Sequence, residues 1–449
     1  MRVSSPRRQA ECLRRQWSED PGLGYSLASM TTPDLQPLAR LTLLLDALAR
    51  FSASSLRGVT RLTYDAHWCE AHAWIRAQAH ALGLDATSDA AGNLYLHAAR
   101  VRAGDEALLV GSHLDTVVNG GRYDGAYGVI AGLVLAAAHR DMPGTPVVGF
   151  VTCEEEGSRF GGDMMGARSL LGTVEPNELE TIVDAAGVTW RQALAEAAAR
   201  GCAAPLGASR PFAPYFKIRG TLELHIEQGP ILEQAAQTLG IVEAIAGYRR
   251  QSVHVSGAPR HAGTTPAQAR QDALAGAAEM ILAAETVMLE WGDPARVTCG
   301  RITASPGAFN VIPGAVELAL ELRHQSHDQL DALDAEVAAR FAAVAARRRL
   351  GFEHTSLGEQ LPTAMDARFV AAARALAKEQ GIAHRVMTSG AGHDSMVFAR
   401  AGIPALMLFV PSRDGISHSP QEFTDAAQLQ AGVAFASALL TRLAVGEPA

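Results

Sequence analysis

The stretch that decides the fold reads Ala107-Leu-Leu-Val-Gly-Ser-His113-Leu-Asp115, then Asn119-Gly-Gly-Arg-Tyr-Asp124-Gly125, then Val147-Val-Gly-Phe-Val-Thr-Cys153-Glu154-Glu155-Glu156-Gly157. Ala107 to Val110 and Val147 to Val151 are short, apolar and partly β-branched, as buried strands of a largely parallel sheet should be. Each runs directly into residues of metal-ligand type, and ligands of such sheets bind at the carboxyl ends of the strands. If the first strand continues to Asp115, the two-residue period puts His113 and Asp115 on one face. There the carboxylate of Asp115 would orient the imidazole of a metal-bound histidine. The glycines around Asp124 let the backbone turn sharply and deliver a carboxylate into a crowded place, where it could bridge two ions.

Working outward, Leu222-Glu-Leu-His225-Ile-Glu-Gln228-Gly alternates apolar and polar residues like a half-buried strand. Near the other end, Ala405-Leu-Met-Leu-Phe-Val410 is another buried-strand run, and the loop after it carries His418. Each of these residues alone has an ordinary reading, as a solvated, capping or hydrogen-bonded core group. Several strand ends bearing suitable donors together make a functional site the better account.

These segments carry a resemblance. Gly-Ser-His113-Leu-Asp-Thr-Val, Asn-Gly-Gly-Arg-Tyr-Asp124-Gly, Glu155-Glu-Gly-Ser-Arg-Phe, Glu-Leu-His225-Ile-Glu-Gln-Gly-Pro, His261-Ala-Gly-Thr-Thr-Pro and Asn310-Val-Ile-Pro-Gly stand in one order. From about Leu41 onward the chain resembles the M20-type metal-dependent amidohydrolases, in the hydantoinase/carbamoylase branch. That branch holds N-carbamoyl-L-amino acid hydrolases, allantoate amidohydrolases and β-ureidopropionases. The resemblance implies one ion on Asp124, Glu156 and His418 and a second on His113, Asp124 and His225, with Glu155 as general base. Two divalent ions follow, zinc or manganese, with cobalt or nickel also compatible with imidazole and carboxylate donors. Five protein ligands for two ions leave room for water and substrate, as catalytic rather than structural sites require. Only the family pattern separates Glu155 from Glu156; Glu154 reads as structural.

The chain has 449 residues, 48% of them hydrophobic, more than one ordinary core needs, so two domains are expected. With 39 basic and 47 acidic residues the net charge is −8, and nucleic acid and anionic membranes are poor partners for it. A small molecule fits better. Cys12, Cys69, Cys153, Cys202 and Cys299 form no short paired spacing, so neither a disulfide framework nor a cysteine zinc site is read, and a cytoplasmic enzyme is expected. No apolar stretch of about 18 charge-free residues suggests a membrane span. Residues 1–29 carry five arginines and no secretory apolar segment. They read as a non-native, disordered or dispensable extension, with Met30 as the natural start.

Helical and strand patterns alternate through the first half, which predicts α/β architecture. After Gly247 the texture changes to an alternating strand at Arg250 to Ser256, a helix from Asp272, strands at Arg296 to Ala304 and Ala315 to Arg323, a helix to Arg349 and a strand near Phe352. This β-α-β-β-α-β order is ferredoxin-like. The expected organisation is a metal-bearing catalytic domain with a mixed, mostly parallel sheet (residues 30–247 and 361–449) and an inserted α+β domain at 248–360. In the family this chain resembles, that insert is a lid and mediates homodimerisation.

Within the insert, His261 lies in a turn-rich stretch, and Arg323 at a strand end has the planar fork that grips a carboxylate bidentately. The resemblance implies that His261 helps polarise the scissile carbonyl across the dimer, and that Gln228, Asn310, Arg323 and the backbone at Gly392 in Gly390-Ala-Gly392-His393-Asp394 position substrate. Ala267 departs from the methionine usual after His-Ala-Gly-Thr-Thr-Pro. The expected reaction is hydrolysis of the C–N bond of a linear N-carbamoyl or ureido compound bearing a carboxylate, with release of ammonia and carbon dioxide. An M20 aminoacylase or exopeptidase is the nearest alternative, although those relatives carry an acidic residue in place of His225. A noncatalytic metal- or ligand-binding relative is another, as is a ferredoxin-like interaction module with an incidental α/β partner.

Overall fold

The β-branched runs become the middle of a sheet. In the computed structural model, which describes residues 36–54, 57–161, 164–206 and 215–445, the strands of the main sheet include β1 (Asp85–Ser88), β2 (Leu94–His97), β3 (Glu106–His113), β4 (Val147–Thr152), β5 (Lys217–Ile226), β6 (Leu239–Ile245) and β7 (Ala405–Val410), with His384–Ser389 and Thr363–Ala364 pairing on β6. They lie in the order β1-β2-β4-β3-β5-β7-β6. The central pairs β3 with β4, β3 with β5 and β5 with β7 are parallel, and the pairs at the margins are antiparallel. The sheet is therefore mixed with a parallel centre. Residues 1–29, read as an extension, lie outside the described residues.

Parallel strands buried on both faces must be apolar throughout, and β4 and β7 are buried along their whole length. Across the sheet lies α1 (Ala126–Ala138), every residue of which is buried. Val129, Ile130, Leu133, Val134 and Leu135 are fully sequestered, and each contributes roughly 1.5–3 kcal/mol of burial before chain entropy is counted. Helix α2 (Ala426–Val445) is, among the described residues, the one helix long and apolar enough to cross a membrane. Here its Leu429, Val433, Phe435, Leu439 and Leu440 are core residues. Two polar ties join it to α1: Tyr127 Oη donates to Leu429 O at 3.0 Å, and His139 Nε2 lies 3.0 Å from Ser437 Oγ.

His139 is buried, and burial pushes its pKa down to about 4. A histidine whose folded pKa lies below the unfolded value near 6.5 binds its proton more readily when unfolded. Its contribution to stability is thus complete above pH 6.5 and is lost as pH falls toward 4. On going from pH 8 to pH 4.5, His139→Gln is expected to lose roughly 2–3 kcal/mol less stability than the parent chain. Urea unfolding of both proteins at the two pH values checks this; equal losses would refute it.

Ala244–Ala364 with Thr388–Gly392 form the second compact unit. Its strands Gly247–Ser256, Arg296–Ser305, Ala315–His324 and Gly351–Gln360 make one antiparallel sheet in which the first and third strands are central. Helices Ala273–Trp291 and His327–Arg348 supply Met280, Val287, Leu333, Val337 and Phe341 to its core with Val253, Val255, Leu318 and Leu322 of the sheet. The element order is the β-α-β-β-α-β read from the sequence.

Candidate metal centre

Each central parallel strand ends in a candidate ligand or in the loop that carries one. His113 closes β3, Glu155 and Glu156 follow β4, His225 lies one residue before the end of β5, and His418 is in the loop after β7. Register explains the first meeting. Gly111 on β3 pairs with Glu223 on β5, so two residues later His113 and His225 stand at the same level, with ring centroids 5.8 Å apart.

Asp124 sits between them and organises the rest. Its Oδ1 lies 3.4 Å from His113 Nε2 and 3.1 Å from His225 Nε2, and its Oδ2 lies 3.2 Å from His418 Nε2. His418 Nε2 also lies 3.5 Å from Glu156 Oε2. The two carboxylate oxygens thus face two separate donor sets, His113–Asp124–His225 and Asp124–Glu156–His418, each with its ligand atoms within 4.8 Å of one another. Delivery of Asp124 depends on Gly125, which adopts φ 62° and whose Cβ, if present, would meet the His113 imidazole at 2.4 Å. No side chain fits there.

The ring orientations are set from behind. His113 Nδ1 lies 2.9 Å from the Asp115 carbonyl oxygen, and His225 Nδ1 lies 2.9 Å from the Ile226 carbonyl oxygen, leaving both Nε2 atoms toward Asp124. This corrects the expectation for Asp115. Because β3 ends at His113, the alternation does not extend to Asp115, and it is the backbone of Asp115 that holds the imidazole. Its carboxylate instead accepts from the backbone N–H groups of Glu155 at 3.3 Å and Glu156 at 3.1 Å. Asp115 therefore fixes the turn that aims both glutamates.

Glu154, in the left-handed region at φ 52°, turns away and accepts from the N–H groups of Arg159 at 3.0 Å and Phe160 at 2.6 Å. It is structural, as expected. Glu155 is half-buried, its side chain only 8% exposed, with Oε2 3.8 Å from His113 Nε2 and Oε1 4.0 Å from His393 Nδ1.

The electrostatics follow from crowding. Burial alone would raise the Asp124 pKa, but contacts from His113, His225 and His418 outweigh it and hold the group well below the usual carboxylate range. Burial, then the nearby Asp124 charge, pushes Glu156 up to about 7. Glu155 is raised well above its ordinary value, first by burial and then by Glu156 and Asp394, against His113. The hydrogen bond to Asp124 lifts half-exposed His418 to about 9. So many buried acids and imidazoles in contact suit positive charge. Glu156 Oε1 is moreover buried with no hydrogen-bond partner among the described residues. These nitrogen and oxygen donors fit a divalent metal ion.

The remaining predicted residues divide. Gln228 joins the centre, its Nε2 donating to Asp124 Oδ2 at 2.8 Å, so its amide supports a carboxylate rather than standing free. His261, Asn310, Arg323 and Gly392 belong to the second unit. There Val311 pairs with His261 in a two-stranded ladder, and the Ala262 N–H donates to the Asn310 carbonyl at 2.9 Å. His261 is exposed, and its Nδ1 accepts from the N–H groups of Gly263 at 3.1 Å and Thr264 at 3.3 Å. In the neutral ring this leaves Nε2 as the proton-bearing nitrogen. Arg323 is already engaged: Nε donates to Glu321 at 2.7 Å and Nη1 to the Gly390 carbonyl at 2.6 Å.

Two supporting residues escaped the sequence reading. Arg61, fully buried, donates from Nε to Leu114 O at 2.8 Å and from Nη1 to Phe51 O at 3.1 Å, pinning the chain between His113 and Asp115. Glu422, also buried, accepts from the N–H groups of Tyr123 and Asp124. Neither stands in an apolar-run context, so no local signal marked it.

The Peptidase family M20/M25/M40 matches residues 109–442. Allantoate amidohydrolase of Bacillus subtilis (strain 168) is 38% identical over 400 residues, which is 88% of this chain and 95% of that protein. N-carbamoyl-L-amino-acid amidohydrolase of Paenarthrobacter aurescens is 37% identical over 397 residues, covering 86% of this chain and 93% of that one. Among solved structures, a hydantoinase/carbamoylase family amidase from Burkholderia multivorans superposes with a TM-score of 0.82 at 30% identity, covering 93% of this chain and 99% of the other.

Proposed function

The chain belongs to the Peptidase M20/M25/M40 family, and from that premise we propose that it is a metal-dependent amidohydrolase cleaving the C–N bond of a linear ureido or N-carbamoyl compound that carries a carboxylate. The observation that carries the reading is Asp124 facing one donor set with each oxygen. Similarity to allantoate and N-carbamoyl-L-amino-acid amidohydrolases over most of the chain supports the substrate class.

In this reading His113, Asp124 and His225 hold one divalent ion, and Asp124, Glu156 and His418 hold the other. Zinc or manganese is preferred, with cobalt or nickel as alternatives. When bound, such a pair lowers the pKa of water toward neutrality and polarises a carbonyl oxygen. Glu155 takes the proton of the attacking water and returns it to the leaving nitrogen. Asp115 holds the turn on which Glu155 rides. The inserted unit serves as lid and dimerisation domain: His261 reaches an active site across the dimer and donates from Nε2 to the developing oxyanion, Asn310 and the backbone at Gly392 position the ureido group, and Arg323 binds the substrate carboxylate. Hydrolysis yields the free amine and carbamic acid, which breaks down to ammonia and carbon dioxide. A cytoplasmic homodimer is part of the same proposal, in keeping with free thiols at Cys69, Cys153, Cys202 and Cys299.

The test is ammonia release from allantoate, N-carbamoyl-L-amino acids and N-carbamoyl-β-alanine after reconstitution with each of the four metals. One dominant ureido substrate is expected. Hydrolysis of N-acetyl amino acids or dipeptides without ammonia release would overturn the reading in favour of an aminoacylase or exopeptidase.

A further inference from the structure

We propose that Glu422 is a positioning residue of the metal centre, whose carboxylate fixes the loop that carries Asp124 and ties it to the loop that carries His418. The inference rests on the reading of the centre given above. Glu422 is buried, at 4% exposure, and lies four residues beyond His418. Its Oε1 accepts from the backbone N–H groups of Tyr123 at 2.8 Å and Asp124 at 3.1 Å. Its Oε2 lies 2.9 Å from the hydroxyl of Ser417, and the same hydroxyl lies 3.1 Å from Asp124 Oδ2. One carboxylate thus clasps the backbone on the near side of Asp124, while the serine it touches reaches the far oxygen of that same side chain.

The loop needs such a clasp. Buried N–H groups must find an acceptor, and those of Tyr123 and Asp124 find theirs in Glu422. The fit is close from the other side as well: a Cβ on Gly121 would meet the Glu422 carboxyl carbon at 2.0 Å. The Phe423 ring stands edge-on to Tyr123 at 6.2 Å and braces the same contact. Because each Asp124 oxygen serves a different donor set, a shift of its backbone would spoil both sets together. Outer partners of this kind orient ligands, and their loss weakens metal binding.

The experiment measures zinc affinity of the metal-free chain by competition with a chromophoric chelator, for the parent, Glu422→Ala, Glu422→Gln and Gly121→Ala. The parent should take up two ions. Glu422→Ala is expected to lose about 10- to 100-fold in affinity. Glu422→Gln should keep most of it, because the amide oxygen still accepts from both N–H groups and the amide NH2 can donate to Ser417. Gly121→Ala, which displaces the carboxylate without altering it, should fall with the alanine variant; Gly121 has no left-handed backbone to forbid the substitution. Parent-like affinity in Glu422→Ala, or a loss in Glu422→Gln as large as in Glu422→Ala, would overturn the proposal while leaving the centre intact. Should Glu422→Ala fail to fold, equal affinity in Glu422→Gln and Gly121→Ala would overturn it just as well. A parent chain that binds no zinc would overturn the underlying reading, and this proposal with it.

Discussion

Replacing Glu155 by glutamine is expected to lower turnover by about 10²- to 10⁴-fold, the usual worth of a positioned proton acceptor, while the metal content stays that of the parent. The physical reasons are separable. Glutamine has the shape of glutamate but takes up no proton. The turn that aims the side chain is held by the Asp115 carboxylate through backbone N–H groups, which the substitution leaves in place. Glu155 is absent from both donor sets centred on Asp124. Its proton affinity is raised first by burial and then by the neighbouring acids, which suits a group that must pick up a proton and pass it on. Metal analysis together with kcat decides. Near-normal turnover would remove Glu155 from the proton path, and loss of an ion would make it a ligand instead, as its proximity to His113 and Glu156 allows.

Asp124→Asn is expected to abolish activity by removing both ions at once, leaving fewer than one per subunit. An amide supplies neither the charge nor the two equivalent oxygens that the donor sets share. A change at His225 would disturb only one set, so the comparison Asp124→Asn with His225→Ala tests the sharing directly. Retention of one tightly held ion in Asp124→Asn would refute it. The metal-free variant carries a second readout. The contact with Asp124 lifts His418 to about 9, so without that charge His418 should titrate nearer the ordinary value of about 6.5. The sign is fixed: a folded pKa above the unfolded one stabilises fully below pH 6.5, and that contribution fades as pH rises through 9. His418 is half exposed, so the stability share is small, and the NMR titration is the measurement to make.

Much of this site was legible before any coordinate was known. His113, Asp124, Glu156, His225 and His418 follow apolar runs or sit in glycine-rich turns, and a parallel sheet gathers the ends of its strands whatever their separation in the chain. The reading of Asp115 failed in its detail because it rested on the alternation of an extended strand, and the strand stops two residues early. Glu422 and Arg61 were invisible for a different reason. Each acts on backbone groups, Glu422 on the N–H groups of Tyr123 and Asp124 and Arg61 on the carbonyls of Leu114 and Phe51. Such partners demand no residue pattern near themselves.

The sequence by itself determined, through residue type and periodicity, which are local, that residues of metal-ligand type follow the strands of a mostly parallel sheet and that an α+β segment interrupts it. The assignment of five of those residues as ligands came from the resemblance to the M20 amidohydrolases. Only the tertiary structure decided which oxygen of Asp124 faces which donor set, that the Asp115 carbonyl rather than its carboxylate sets the imidazole, and that Arg323 spends two of its donors within its own unit. Hydrogen bonding depends on distances of a few tenths of an ångström and on direction. Those are settled by how strands register and loops pack, not by the order of residues along any one of them.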